Sequence, residues 1–563
     1  VLSLHGMEGK MFKPLAYTIM IALCVSLVLS LTLSPVLCAM MLTRGSERDP
    51  WIVRGAKRLY APTLRWALTN GTVVLSIAVG LLLCSLALFP FLGSEFIPIL
   101  NEGVVAPQTI RLPSVSLEAS IAIEKDMQRA IMEFPEVESV VSKIGRTELG
   151  NDPQEPNESD PVVHLRPHDQ WKTARTMPEL MQRFRERLTR VPGATFLISQ
   201  PIQQRVDELI SGVRTEATAK LFGEDLEMLR RKADEIARVL EQVRGVRDIK
   251  VEQLYGQPYL TITIDREKIA RHGINVADVR EIIATAIGGG TATRVFEGQQ
   301  WFNLVVRFPE QHRNSIETIA NILLTDASGA LIPLADLGTV QLEEGPGRIS
   351  REQLQRYVSI GFNTLGRDIG SLVSEAQQRI ATQVALPPGY MVKWGGSFEN
   401  MERAMNRLRV IVPMTIGLIF LLLYSSFNSL RQAALIILNL PFALIGGIVA
   451  LWVSGEYLSV PASVGFINLF GVAVLNGIVL VSYMNTLRQE GRTLDEAVVS
   501  GALLRLRPVL MTALVALLGL VPLAFARGIG SEVQRPLATV VIGGILSSTL
   551  LTLVVLPALY RMA

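Results

Sequence analysis

Seven stretches of the chain are apolar with no charged residue in their middle: residues 15–42, 72–92, 410–424 with their flanks, 433–454, 460–484, 508–526 and 537–559. A helix needs about 20 apolar residues to cross the hydrocarbon core of a bilayer, so each stretch is expected to be a membrane-spanning helix. Between the second and third, over residues 93–409, the pattern changes. Residues 117–132 and 226–240 carry the period of an amphipathic helix, and a tight turn and a period-2 strand follow each, at 134–144 and 243–251. Helical patterns recur at 276–287 and 369–384, and strand patterns at 259–264, 301–308 and 357–362. Repeated helix–turn–strand units predict α+β sandwiches of the split βαβ kind. The stretch 259–342, with Gly288-Gly289-Gly290 and a hairpin, reads as an insertion into the second repeat.

Composition agrees with the pattern. Hydrophobic residues make up 49% of the 563 and charged residues 19%, against about 25% charged in a soluble protein; the mean hydropathy is +0.34. A water-soluble enzyme and a disordered chain are both excluded. The formal net charge of +3 gives no reason to expect nucleic acid. Cys24, Cys38 and Cys84 all sit in apolar stretches and make neither a disulfide framework nor a thiolate metal site. The first apolar stretch is too long for a cleavable signal peptide. It follows Glu8, Lys10 and Lys13 and runs into Ser34-Pro35 with no small-residue cleavage site. Val1 is not an initiator methionine, and the chain is expected to begin inside a longer protein.

Basic loops set the orientation. Arg44, Arg48, Arg54, Lys57, Arg58 and Arg65 lie between the first two spans, and Arg488, Arg492, Arg505 and Arg507 between the fifth and sixth. Both loops read as cytoplasmic, which leaves 455–459, 527–535 and the long polar stretch 93–409 outside the cytoplasm. Trp51, Ile52, Leu59, Tyr60, Leu64 and Trp66 alternate with the cations of the first loop, the pattern of a helix lying on the inner membrane surface.

Few residues here could do chemistry. His164 and His168 have the spacing of a zinc-binding helix, but Pro167 between them argues against a helix. Gly288–Gly290 lacks the strand–loop–helix setting of a phosphate site and reads as a turn. No nucleophile–base pair assembles, so an enzyme is the weakest reading. Carboxylates are more informative: Glu158 and Asp160 stand in Asn157-Glu-Ser-Asp-Pro161, and Asp207 and Glu208 in Arg205-Val-Asp-Glu-Leu209. Oxygen ligands suit divalent cations of the zinc, cobalt and nickel kind better than monovalent copper or silver, which favour sulfur. Exposed acids are also common on any surface, and both readings stand at this level. Within the spans, Asn468, Asn476 and Ser482 lie along one helix and Thr512 on the next, below Arg505-Leu-Arg-Pro508. They are either helix–helix hydrogen-bonding groups or part of a proton path; no Asp or Glu lies within a span to complete one.

Three motifs carry a resemblance: Gly93-Ser-Glu-Phe-Ile-Pro98 with Asn101-Glu-Gly103, Arg505-Leu-Arg-Pro-Val-Leu-Met-Thr512, and Gly528-Ile-Gly-Ser-Glu-Val-Gln-Arg-Pro-Leu-Ala-Thr539. Over essentially its whole length the chain resembles the resistance–nodulation–division efflux pumps, in particular their heavy-metal branch of the cobalt–zinc–cadmium type. The Glu of Gly-Ser-Glu-Val is typical of that branch, where the drug-exporting branch has Gly-Ser-Gly. The resemblance implies a multi-span α-helical membrane protein with a large α+β periplasmic insertion, made of ferredoxin-like split βαβ porter subdomains plus a docking subdomain. The chain would supply the last span of the first half (1–43), a cytoplasmic amphipathic linker (44–71) and a span at 72–92. A porter subdomain at 93–210 would follow, then a second at 211–258 and 347–396 around a docking subdomain at 259–346, and a five-helix membrane bundle at 397–563.

What the resemblance implies for function is proton-driven efflux of divalent heavy-metal cations by alternating access. The setting would be the inner membrane of a Gram-negative bacterium, as a homotrimer joined by a periplasmic adaptor and an outer-membrane channel. Lipid surrounds it, and it needs no resident cofactor beyond the transported ion and the proton-motive force. Arg505 and Thr512 match polar relay positions, and a relay Lys or Glu of some members aligns with Leu475, beside Asn476. The positions of the substrate methionines of copper and silver members correspond to Gln108, Glu158 and Glu208. Three lost sulfurs and two gained carboxylates favour zinc, cobalt, cadmium or nickel, with Glu158, Asp160, Asp207 and Glu208 as the expected ligands. A copper, silver or drug exporter of the same fold, and a non-transporting membrane-anchored binding protein, remain open alternatives.

Overall fold

The computed structural model describes residues 6–41, 50–146, 154–526, 528 and 530–562. His5, Arg44 and Arg48 of the first basic loop, and Ile529 of the last motif, lie outside the described residues.

The chain opens with α1 (Gly6–Leu31), α2 (Leu33–Met41), α3 (Trp51–Thr69) and α4 (Gly71–Leu88). The first span, expected as one helix over 15–42, is in two pieces. Pro35 has no N–H to offer the carbonyl of Leu31, and the chain breaks at Thr32, whose hydroxyl turns back to the Val28 carbonyl at 2.7 Å.

The α+β portion follows: β1 (Val104–Arg111), α5 (Leu117–Met132), β2 (Val137–Ile144), β3 (Glu158–Leu165), α6 (Met177–Leu188) and β4 (Ala194–Ser199). These strands form one antiparallel sheet in the order β2-β3-β1-β4. Val105, Met127, Ile131, Val163, Leu180 and Phe184 fill the space between that sheet and its two helices. Next comes α7 (Pro201–Ser211), which links this sheet to a second one. Pro201 pre-sets its first turn, and Gly212 closes it at φ 75 with its N–H on the Glu208 carbonyl.

The second sheet uses β5 (Ala217–Phe222) and β6 (Val246–Val251), separated by α8 (Leu226–Glu241). An insertion then holds β7 (Gln257–Ile264), α9 (Arg266–Arg271), α10 (Val276–Ile283), β8 (Gly290–Glu297), β9 (Gln300–Val306), α11 (Ile316–Ala320), β10 (Leu323–Thr325), β11 (Leu331–Pro333), α12 (Leu334–Leu337) and β12 (Gly338–Gly345). β7 and β12 pair antiparallel from Gln257–Gly345 to Ile264–Gly338, so the insertion leaves and returns by adjacent strands. It has its own core, with Ile269, Val279, Leu324, Leu334 and Leu337. The second sheet is completed by β13 (Ser350–Glu352), β14 (Gln355–Thr364), α13 (Ile369–Gln383) and β15 (Met391–Gly396), in the order β13-β14-β5-β15 with β6 beside β14. Its core joins Leu221, Ile236, Leu240, Ile360, Phe362 and Leu372.

The amphipathic helices start where a side chain takes a free backbone N–H. Ser116 accepts from Ala119 N at the head of α5, Asp225 from Met228 N at α8, and Asp368 from Ser371 N at α13.

β15 runs straight into α14 (Ser397–Phe427), and the membrane bundle continues with α15 (Leu430–Ile437), α16 (Leu440–Ser454), α17 (Val460–Gln489), α18 (Leu494–Ala524) and α19 (Ser531–Met562). The turn from β15 into α14 needs glycine: Gly396 has φ 85, and a Cβ there would stand 2.6 Å from the Glu216 carbonyl oxygen. Among the described residues seven helical segments are long and apolar enough to cross a membrane. The span expected as one helix over 433–454 is interrupted between α15 and α16. Pro441 cannot donate to the Ile437 carbonyl, and Asn439 at the break donates instead through its side chain to the Thr552 hydroxyl. α18 begins well before the expected residue 508 because Thr493 and Glu496 form a reciprocal cap at its start. α16 and α19 touch backbone to backbone at Gly446 and Gly543, and the Gly446 N–H reaches the Ser547 hydroxyl at 3.0 Å.

Candidate functional site

The first site is a polar cavity of about 190 Å³ where the two sheets and the end of α7 meet. Gln108 comes to it from β1, Glu158 from β3 and Glu208 from α7, so three residues far apart in the chain line one space. Period-2 geometry explains β3: Glu158 and Asp160 face outward while Ser159 between them is fully buried. Ser159 donates to Glu124 at 2.6 Å and accepts from Arg111 at 3.1 Å. Arg111 and Glu124 are themselves a buried ion pair, so this strand is clamped from behind.

Cations of the second sheet stand opposite the acids. Lys250 donates to Glu158 at 3.0 Å. Arg214 donates to Asp160 and, at 3.3 Å, to Glu208, which also pairs with Arg205 at 2.9 Å. Arg348 reaches Glu252 at 3.4 Å. Burial alone would raise Glu158, but Lys250, then Arg348 and Arg214, outweigh it and hold the carboxyl below its ordinary range. Arg214 is also buried, which would lower it, yet Asp160 and Glu208 keep it above its ordinary value. Asp160 does not line the cavity; besides Arg214 it takes Lys143 at 3.8 Å and Gln154. Among the described residues the buried side-chain oxygens of Gln108 and Gln154 have no hydrogen-bond partner. Among the described residues no three His, Cys, Asp or Glu side chains are grouped as a ready metal site.

Asp207, next to Glu208 on α7, faces the other way. It lines a second cavity of about 330 Å³ beneath the first sheet, bounded by residues 95–102, the start of α7, the 364–369 turn, Ser397 and Tyr457. Its walls are largely apolar, with Phe96, Ile97, Leu100, Ile202, Val206 and Ile369, but Glu95, Glu102, Asp207, Glu216 and Asp368 also open onto it. The one cation in that lining, Arg367, is engaged by Glu375 at 2.5 Å and by Ser371. Burial, reinforced by the Glu216 charge, pushes Asp207 up to about 7, although Ser397 donates to it at 3.1 Å. Burial also lifts Glu95 to about 7, helped by Glu456, Glu216 and Asp368. Glu216 is raised by burial against the hydrogen bonds it accepts from Thr364 and Gln203. In the first cavity cations pair with Glu158, Glu208 and Glu252, whereas in the second burial raises Asp207, Glu95 and Glu216. Glu95 and Glu216 were not singled out in the sequence; only the Gly93–Pro98 motif marked the neighbourhood of the first.

In the membrane bundle, Thr512 on α18 donates to Asn476 on α17 at 3.4 Å. Arg505, about two turns earlier on α18, lies over the Tyr483 ring at 4.2 Å. The Asn476 amide nitrogen and Arg505 Nε are buried with no hydrogen-bond partner among the described residues, while Thr512 and Leu475 are exposed on the outer face of α17–α18. Asn468 and Ser482 share that exposed face at seven-residue spacing with Leu475. A second polar set went unnoticed in the sequence: Asn485 exchanges two hydrogen bonds with Gln432, at 2.9 and 3.2 Å, and accepts from Tyr560 at 2.6 Å. His164 is exposed on β3, and His168 lies in the turn after it on the Arg175 carbonyl at 2.9 Å, so the two histidines share no helix.

The chain is 46% identical, over all of its length, to the cation efflux system protein CzcA of Alcaligenes sp. strain CT14, covering 54% of that protein. It is 40% identical to the nickel and cobalt resistance protein CnrA of Cupriavidus metallidurans, with 99% of this chain and 52% of that protein covered. A crystal structure of a heavy metal efflux pump superposes on all of the chain with a TM-score of 0.88 at 39% identity, covering 55% of that pump. The chain thus spans about half the length of the relatives it matches. The match to the AcrB/AcrD/AcrF family runs from residue 1 to residue 563, and on it the chain belongs to that family of resistance–nodulation–division transporters.

Proposed function

We propose that the complete protein exports divalent heavy-metal cations of the zinc, cobalt, cadmium and nickel class, driven by protons, across the inner membrane of a Gram-negative bacterium. The observation that carries this reading is the convergence of Gln108, Glu158 and Glu208 on one cavity whose described lining offers oxygen ligands and no sulfur. The relatives' names point the same way: cation efflux, and nickel and cobalt resistance. The α+β portion divides functionally into porter units at 93–210 and at 211–258 with 347–396, and a docking unit at 259–346. The assembly is a homotrimer with a periplasmic adaptor and an outer-membrane channel.

The second cavity collects the cation. Burial lifts Asp207 and Glu95 to about 7, so a divalent ion bound by these two carboxyls displaces protons. The ion then moves past α7 to Glu158, Asp160 and Glu208. There Lys250 and Arg214 already neutralise the carboxylates, so the ion must displace an ammonium or guanidinium to bind. That arrangement favours transient holding over tight capture. Arg505, Thr512 and Asn476 belong to the proton path. Thr512 is exposed, so its hydroxyl is open to an acid on a neighbouring surface.

The test is a tolerance panel in cells lacking their own metal pumps and carrying the complete gene with its adaptor. Glu158→Gln combined with Glu208→Gln is expected to abolish zinc, cobalt, nickel and cadmium protection at unchanged protein level; undiminished protection overturns the site. One observation favours a second reading, an exporter of amphiphilic organic cations: the apolar walls of the second cavity. Protection against a cationic dye, without protection against metals, would select it.

A further inference from the structure

α3 carries a surface that the transport reading does not use. Its buried face is fixed to the bundle: Leu64 and Ala67 are fully buried, Tyr60 donates to the Leu553 carbonyl at 2.7 Å, and Arg561 donates to the Leu68 carbonyl at 2.7 Å. The helix therefore cannot roll. Its outward face is sorted into two flanks. Leu59 and Trp66, seven residues apart, form an apolar flank with 76% and 49% of their surface exposed, and Trp51, 76% exposed, stands at the head of the helix between this flank and the cationic one. Arg54, Arg58 and Arg65, one and then two turns apart, form a parallel cationic flank, all exposed. From Trp51 to Thr69 the helix holds four basic residues and no acidic one. Among the described residues no ion pair engages Arg54, Arg58 or Arg65.

A helix pinned along one side, with aromatic side chains beside a row of guanidinium groups, matches the boundary between acyl chains and headgroups. The apolar flank enters the acyl region while the arginines reach the phosphate layer. Guanidinium forks bind phosphate oxygens in pairs, and a bare row of them is complementary to headgroups with net negative charge rather than to zwitterionic ones. α3 sits at the end of the bundle that the basic loops mark as cytoplasmic, beside the last turn of α19. We propose that the outward face of α3 is a binding surface for anionic phospholipid headgroups of the inner leaflet, with Arg54, Arg58 and Arg65 as the phosphate ligands and Trp51, Leu59 and Trp66 as the anchor.

The experiment reconstitutes the complete protein into bilayers containing brominated phosphatidylglycerol or brominated phosphatidylcholine at equal mole fraction, and reads tryptophan quenching. Attraction of a basic residue to an anionic surface is about fivefold in local concentration for each arginine, so the glycerol lipid is expected to quench more at low mole fraction. The triple variant Arg54→Gln, Arg58→Gln, Arg65→Gln is expected to lose that preference. The triple lysine variant controls for folding and should keep most of it. Equal quenching by both lipids in the unaltered protein overturns the proposal. So does no quenching difference between the glutamine variant and its parent, the result expected if another protein surface covers the helix.

Discussion

Replacing Asp207 by asparagine tests the electrostatics of the second cavity directly. Asp207 is 4% exposed, accepts a hydrogen bond from Ser397 and stands near Glu216, whose charge adds to the effect of burial. Moving its carboxyl from the ordinary 3.8 to about 7 means that charging it in the folded protein costs about 4 kcal/mol, at roughly 1.4 kcal/mol per pH unit. The sign follows from proton counting. Between about pH 4 and pH 7 the folded protein keeps a proton that the unfolded chain has released, so stability falls as pH rises through that window and levels off above it. Asparagine has the same shape, still accepts from Ser397 and has no proton to lose. The variant should therefore match its parent near pH 4 and exceed it by up to about 4 kcal/mol near pH 8. Unfolding of both proteins in one detergent, followed at several pH values across that range, measures the difference. Parallel pH profiles would refute the reasoning, since they would mean that Asp207 is charged or protonated alike in the folded and unfolded chains.

Two further outcomes can be checked. Arg214→Met leaves Asp160 and Glu208 on the partly buried wall with only Lys143 and Arg205 nearby, and a loss of about 3 kcal/mol is expected in unfolding experiments. Gly446→Val drives a side chain into the Gly543 carbonyl and the Ser547 hydroxyl, and should lower the melting temperature and the yield of folded protein by overpacking worth about 3 kcal/mol.

Much of the architecture was legible because it is written in local patterns. α5 spans Leu117–Met132 as its apolar spacing implied, and α8 and α13 fall within a residue or two of their patterns, each opened by a capping Ser or Asp. The helix–strand repeat also announced the two α+β units. Misreadings occurred where a local rule was overridden. Pro35 and Pro441 break apolar runs that look continuous by hydropathy alone, and Arg505 and Arg507 masked a helix that a capping box starts at Thr493. α7 was missed because it begins at a proline and mixes charged with apolar positions over a short length. The candidate site was half legible. That Gln108, Glu158 and Glu208 share a cavity was expected only through the family resemblance. That Asp207 turns away from Glu208, and joins Glu95 and Glu216, follows from helix geometry and from burial by residues about a hundred positions distant, which no local pattern encodes.

The junction at Gly396 has a mechanical meaning. α14 is hydrogen-bonded helix for 31 residues from Ser397, about 46 Å at 1.5 Å per residue, of which about 20 residues are enough to cross the bilayer. Its remaining length stands proud of the lipid and ends on Ser397, which holds Asp207, and on Gly396, which is wedged against the backbone of Glu216. The helix is thus a crank with its handle in the second cavity and its shaft among the spans. A change in tilt of a few degrees at the membrane end becomes a displacement of an ångström or more at the acids. Glycine is the bearing: a larger residue at 396 would jam against Glu216, so any tilt of α14 would be passed on at the one point where its end meets the backbone beside the acidic cavity.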